Sequence, residues 1–153
     1  APDRDQYTDS YAFRSCLSST LILSWNFSSY ESSKDLFNQY CGYVDQYMDI
    51  RGYFTKDYYP LTPAAAGNDK NLAMQYNDPS DSSGIILAFR RENSKVSDIK
   101  ATLFGLDSSA QYQVKDIDTG ISSAVSGSKL MDGSFIISVK DQPGAVILKY
   151  SKL

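Results

Sequence analysis

The sequence predicts a mainly β protein: an antiparallel β-sandwich of Greek-key type, preceded by a strand and one amphipathic α-helix. Three observations carry this. Beyond residue 72, short runs rich in β-branched and aromatic residues recur at regular intervals between turn-forming residues, as in a sandwich. Residues 33–51 instead place apolar side chains three and four apart, the period of a helix with one buried face. Residues 17–25 form a short apolar run without alternation, which is how a strand buried on both faces reads.

Taken in order, the strand at 17–25 centres on Leu21-Ile22-Leu23 and ends at Trp25. The helix follows Ser32 and Ser33, whose hydroxyls suit an N-cap, and Asp35, whose charge the helix dipole favours in the first turn. Leu36, Phe37, Tyr40, Cys41, Val44, Tyr47, Met48 and Arg51 then recur at helical spacing. At Pro60-Leu61-Thr62-Pro63 the texture changes, so two domains are expected, residues 1–62 and residues 63–153. In the second, strands are expected at 72–76, 84–91, 100–106, 112–116, 134–139 and 145–150. The segments between them, such as Asp118-Thr119-Gly120, Asp132-Gly133 and Gln142-Pro143-Gly144, bend the chain or accept left-handed backbone angles. In the first domain, a strand and a helix without a parallel neighbour make half of a βα unit, an odd possession for a self-contained domain.

Composition narrows the function. A chain of 153 residues is too short for a whole (β/α)8 barrel of about 250. No apolar run approaches the roughly 18 residues of a membrane span, so no membrane partner is expected. Fifteen Lys and Arg against 18 Asp and Glu give a net charge of −3 without a basic cluster, which disfavours nucleic acid. The absence of His removes the commonest general base, the His-dependent nucleophile systems and most zinc sites. No metal and no cofactor are expected. Cys16 and Cys41 fall in a predicted strand and helix, which favours free core thiols over a disulfide framework. The opening Ala1-Pro2-Asp3-Arg4-Asp5 has neither Met nor the shape of a signal peptide, and reads as a piece of something longer or as the sequence left after leader removal.

Candidate chemistry is thin. Asp45 and Asp49 stand one helical turn apart on the polar face, where such a pair is ordinarily solvated surface. Asp116-Ile117-Asp118-Thr119-Gly120 opens like a calcium loop, but its twelfth place is Gly127 instead of Glu, so a turn is expected. Gly127 and Gly133 are not spaced as a phosphate loop and read as hairpin residues. Asn26-Phe27-Ser28 has only the form of a glycosylation acceptor. No catalytic residue is assigned, because no convergent pair of titratable groups can be argued from the spacing. The unusual feature is aromatic: nine of twelve Tyr precede residue 60. Trp25, Tyr40, Tyr43, Tyr47, Tyr53, Tyr58 and Tyr59 therefore read as a domain interface, with a sugar-stacking platform as the alternative.

Several blocks resemble the closing part of glycoside hydrolase family 36 α-galactosidases. They are Tyr11-Ala12-Phe13-Arg14-Ser15, Tyr53-Phe54-Thr55-Lys56-Asp57-Tyr58-Tyr59-Pro60-Leu61-Thr62, Ile86-Leu87-Ala88-Phe89-Arg90-Arg91 and the tail from Tyr112 to Tyr150. The resemblance implies that residues 1–62 are the last strand and helix of a barrel and residues 63–153 its C-terminal sandwich. The parent it implies is a retaining α-galactosidase whose two catalytic carboxylates lie on barrel strands outside this sequence. The implied partner is the missing catalytic barrel, with α-galactoside met only through the parent. An isolated piece of this kind is expected to self-associate through the exposed former interface. An independent carbohydrate-binding module is the competing reading.

Overall fold

The computed structural model describes residues 10–22, 34–64 and 66–153. The chain divides into two compact units, Ala1–Thr55 and Lys56–Leu153. The first contains α1, Ser10–Ser15, and α2, Lys34–Ile50, which continues into a 3-10 turn over Arg51–Thr55. As its periodicity predicts, α2 buries Tyr40, Tyr47 and Ile50 along one stripe. Among the described residues no helix is long and apolar enough to cross a membrane.

Two expectations for this unit are corrected. Residues 17–22 are irregular, not strand, and residues 23–25 of the predicted strand lie outside the described residues. Local hydrogen bonding explains the difference. The Cys16 and Leu17 N–H groups donate back to Phe13 and Arg14 carbonyls at 3.1 and 3.2 Å, and the Ser18 hydroxyl donates to the Thr20 carbonyl at 2.7 Å. Serines that bond to nearby backbone in this way compete with a strand ladder. The second correction concerns the thiols, which are unpaired but exposed. Cys16 follows the last residue of α1 in a turn, and Cys41 lies off the buried stripe of α2.

The second unit is built on a six-stranded antiparallel sheet in the order β1-β2-β3-β8-β5-β6, with a separate two-stranded sheet, β4-β7. Its strands are β1 Asp57–Pro60, β2 Leu72–Asp78, β3 Ser83–Arg90, β4 Asp98–Ala101, β5 Gln111–Asp116, β6 Ser122–Ser126, β7 Phe135–Ser138 and β8 Gly144–Lys152. The chain leaves the large sheet after β3 and returns as β5 and β6. It leaves again through α3, Gly127–Met131, and β7 before β8 enters between β3 and β5. That long return to a non-sequential neighbour is the connection a Greek-key type of sandwich requires. In register, Ile86 faces Leu148 across β3 and β8, and Val114 faces Tyr150 across β5 and β8. The core lies between the sheets, with Ile86, Val114 and Tyr150 from the large one packed with Ile99 and Ile137 of the small one.

Burial follows position in the sheet. From Ser83 to Phe89 every residue of central β3 is buried, whereas β2 alternates strictly. Gly84 is required there, because a Cβ would run into the Tyr150 ring and hydroxyl and the Tyr76 carbonyl. Both edge strands escape sequence prediction. β6 is Ser-rich and exposed, held by its ladder to β5, and β1 ends in Pro60 at an outer edge, where a missing N–H costs little. The strand expected at 100–106 stops at Ala101, and the chain is irregular through Leu106, with Gly105 at φ +72. Gly127 is corrected from hairpin residue to first residue of α3. The Ser126 hydroxyl caps that helix by accepting from Lys129 N–H at 3.3 Å, and a Cβ on Gly127 would overlap the Asp107 carbonyl.

Ile137 and Phe89 are 1% and 7% exposed, while Asp45 is exposed. Ile137→Ala or Phe89→Ala is expected to destabilise by about 2–5 kcal/mol and Asp45→Ala by less than about 0.5, as read by chemical denaturation. Losses ranked the other way would refute this core assignment.

Candidate functional site

The singled-out aromatics fall into separate sets. In the first unit the Phe13 and Tyr43 rings stack at 5.2 Å, and Tyr40 meets Tyr43 edge-on at 6.4 Å. Arg14 reinforces this junction by donating from Nη2 to Gln46 Oε1 at 3.0 Å. Tyr47 stacks on Phe54 at 6.4 Å and donates from its hydroxyl to the Ser19 carbonyl at 3.3 Å. Tyr53 is half-buried, and Trp25 lies outside the described residues. In the second unit, register puts Tyr58 opposite Tyr76, with rings 5.3 Å apart, and Tyr59 stacks on Phe104 at 5.3 Å. Burial pushes the Tyr76 phenol above its ordinary pKa. Tyr58 itself is 53% exposed.

Sequence reading did not find Phe13, Phe54, Tyr76 and Phe104 as partners of these tyrosines. The signal for Tyr76 was the alternation of β2, which fixes its face once β1 is known as a neighbour. It also missed a buried polar network under the sheet. Gln75 Nε2 donates to the Phe104 carbonyl at 2.9 Å and to the Tyr150 hydroxyl at 2.7 Å, while Phe104 N–H donates to Gln75 Oε1 at 2.9 Å. The Tyr150 hydroxyl then donates to Asn77 Oδ1 at 2.8 Å. Gln75, Asn77 and Tyr150 are each at most 1% exposed. Mutual bonding makes most of these groups tolerable in a core, while the buried Asn77 Nδ2 is left without a partner.

An open groove of about 270 Å³ runs between the sheets, lined by Asp116, Ser123, Phe135, Ile137 and Leu148 among others. Its carboxylate is engaged in a turn. Asp116 Oδ1 accepts from the Asp118 and Thr119 N–H groups at 2.8 and 3.1 Å, and Gly120 follows at φ +71. Asp116–Gly120 therefore closes a turn after β5, as the sequence implies. Among the described residues, no group of three or more His, Cys, Asp or Glu is placed to hold a metal ion.

Among the described residues three carboxyls are held below their ordinary pKa: Asp132, which accepts from the Ser134 N–H at 2.8 Å, and two that lie in ion pairs. Lys56 Nζ lies 2.7 Å from Asp78 Oδ2, and Ser80 donates to Asp78 Oδ1 from its hydroxyl at 2.6 Å. The Lys56 hydrogen bond, then the Ser80 hydroxyl, lower the Asp78 pKa from 3.8 to about 2. The Ser109 hydroxyl, then Lys152, lower that of Asp107 as well.

No family model matches the sequence, and no curated protein matches it. Solved structures do match in fold. The galactosidase domain of α-galactosidase-sucrose kinase AgaSK superposes with a TM-score of 0.62 at 15% identity, over 79% of this chain and 16% of that one. The likeness is to α-galactosidases. A variant of the GH36 α-galactosidase AgaA from Geobacillus stearothermophilus, in complex with raffinose, gives 0.62 at 17% identity, and AgaB from the same organism gives 0.59 at 18%. Both likewise cover 79% of this chain and 16% of theirs. This chain thus has the fold of a small part of the GH36 α-galactosidase structures and spans about a sixth of their length.

Tyr150→Phe leaves Gln75 Nε2 and Asn77 Oδ1 each one partner short, and is expected to destabilise by about 1–3 kcal/mol in urea. A neutral result would show that the network is dispensable. The pH dependence has a definite sign. A carboxyl whose folded pKa lies below 3.8 stabilises above that pH and loses the contribution as pH falls towards about 2. Melting temperature in Asp78→Asn is therefore expected to fall less steeply than in the native chain across that window, and an unchanged slope would contradict the ion pairing.

Proposed function

We propose that this chain is the non-catalytic C-terminal part of an α-galactosidase-like glycoside hydrolase, with a β-sandwich that supports the catalytic barrel. The unit up to Thr55 is read as the end of that barrel, and the unit from Lys56, whose sheet already includes β1, as the sandwich. The observation that carries the reading is the pairing of coverages: 79% of this chain superposes on only 16% of each α-galactosidase chain. The sequence blocks quoted above point to the same family. Retaining glycoside hydrolysis needs two carboxyl groups about 5–5.5 Å apart across the scissile bond, and on this reading both are supplied by the rest of the parent. The parent's substrate is then a terminal α-galactoside, and the aromatics on and after α2 serve as its interface with the barrel.

A second reading, a free-standing carbohydrate-binding module, is favoured by one observation, the exposed Tyr58 ring lying against Tyr76 on the sheet. Two measurements separate the readings. The chain alone is expected to release no nitrophenol from p-nitrophenyl α-galactoside, and turnover that survives repeated purification would refute the leading reading. Calorimetric titration with galactose, melibiose and raffinose is expected to give no heat. Saturable binding that is lost in Tyr58→Ala would establish the module instead. The reading frame upstream of the Ala1 codon is expected to run on through a barrel of about 250 residues, with Asp at strand ends.

A further inference from the structure

Helix α2 carries a second apolar stripe beside its buried one. Phe37, Cys41, Val44 and Met48 recur at intervals of four, three and four, which gathers them within an arc of roughly 60°. Phe37 is 43% and Met48 51% exposed, Cys41 is exposed and Val44 half-buried. The same alternation of three and four continues outward to Lys34 at the start of the helix and Arg51 just past its end, both exposed. The stripe is thus a 3-4 seam of the kind that receives another helix, about 17 Å long from Phe37 to Met48 and closed by a cation at each end.

The end charges select the occupant. A second copy packed antiparallel on this seam sets Lys34 against the other copy's Arg51, and one packed parallel sets Lys34 against Lys34, so both orientations oppose like charges. A helix whose apolar stripe is bounded by carboxylates meets attraction at both ends. We infer that the Phe37–Cys41–Val44–Met48 seam docks an amphipathic helix carrying acidic residues at the two ends of its apolar stripe. The inference rests on the glycosidase reading only for the source of that helix, which is then the remainder of the parent chain.

The test uses the full chain and two synthetic helical peptides of about 21 residues, identical in a Leu stripe at three-four spacing but ending in Glu or in Lys. Fluorescence anisotropy at low salt is expected to show saturable binding of the Glu-ended peptide, at least fivefold tighter than the Lys-ended one. Met48→Glu, at an exposed position that leaves the fold intact by circular dichroism, is expected to weaken binding tenfold or more. Lys34→Glu combined with Arg51→Glu is expected to reverse the peptide preference, which a merely structural role for these residues would not do. Equal binding of both peptides, binding indifferent to Met48→Glu, or no saturable binding overturns the inference. A dimer seen by sedimentation equilibrium and dissolved by Met48→Glu also overturns it, in favour of a second copy. The upstream reading frame bears on the glycosidase reading alone, so either idea can fail while the other stands.

Discussion

The hydroxyl of Tyr150 is the point through which the sandwich is tied together. It sits on β8, accepts from Gln75 and donates to Asn77, both on β2, so it reaches past β3 to the strand beyond. The strand in between must yield to let this happen, and Gly84 of β3 does so by having no Cβ where the ring passes. Gln75 extends the tie out of the sheet to both backbone groups of Phe104, in the irregular stretch after β4, whose ring in turn supports Tyr59 of β1. One buried phenol therefore fixes the spacing of β2, β3 and β8 and the path of the chain leaving the small sheet. The polar cluster stays acceptable in an apolar core because its donors and acceptors answer one another, apart from Asn77 Nδ2, which is buried without a partner.

How much of this was legible depends on what held each element. The strands β2, β3, β5 and β8 announce themselves because their side chains enter the core, and burial imposes alternation or a continuous apolar run. β6 has no such obligation. Its Ser122, Ser123 and Ala124 are exposed and it is a strand because β5 offers an open ladder, which leaves no mark on side-chain pattern. The first part of the apolar run, residues 17–22, misled for the opposite reason: Ser18-Ser19-Thr20 supplies hydroxyls able to satisfy backbone locally, and hydrogen bonds there outweigh hydropathy. For the aromatics, the sequence identified the residues but not their neighbours, since Phe13 with Tyr43 and Tyr58 with Tyr76 are contacts across separate elements.

Helix α2 shows how a sequence can hold more apolar periodicity than one packed unit uses. Leu36, Tyr40, Tyr43, Tyr47 and Ile50 form one seam, and Phe37, Cys41, Val44 and Met48 another beside it. Together they cover about half the circumference, wider than the single stripe of roughly 100° that a surface helix requires. Asp45 and Asp49 occupy the polar remainder, where their like charges are solvated.

The position of β8 also governs the order of events during synthesis. Because β8 lies between β3 and β5, the large sheet exists beforehand only as two pieces, β1-β2-β3 and β5-β6, each with a bare inner edge. Residues 144–152 are the last strand of this sheet to be synthesised, so the sheet is zipped from its middle, not extended strand by strand. Until then the apolar flank of β3 is an open template for pairing with other chains, which makes the interval before β8 emerges the period of greatest exposure to aggregation.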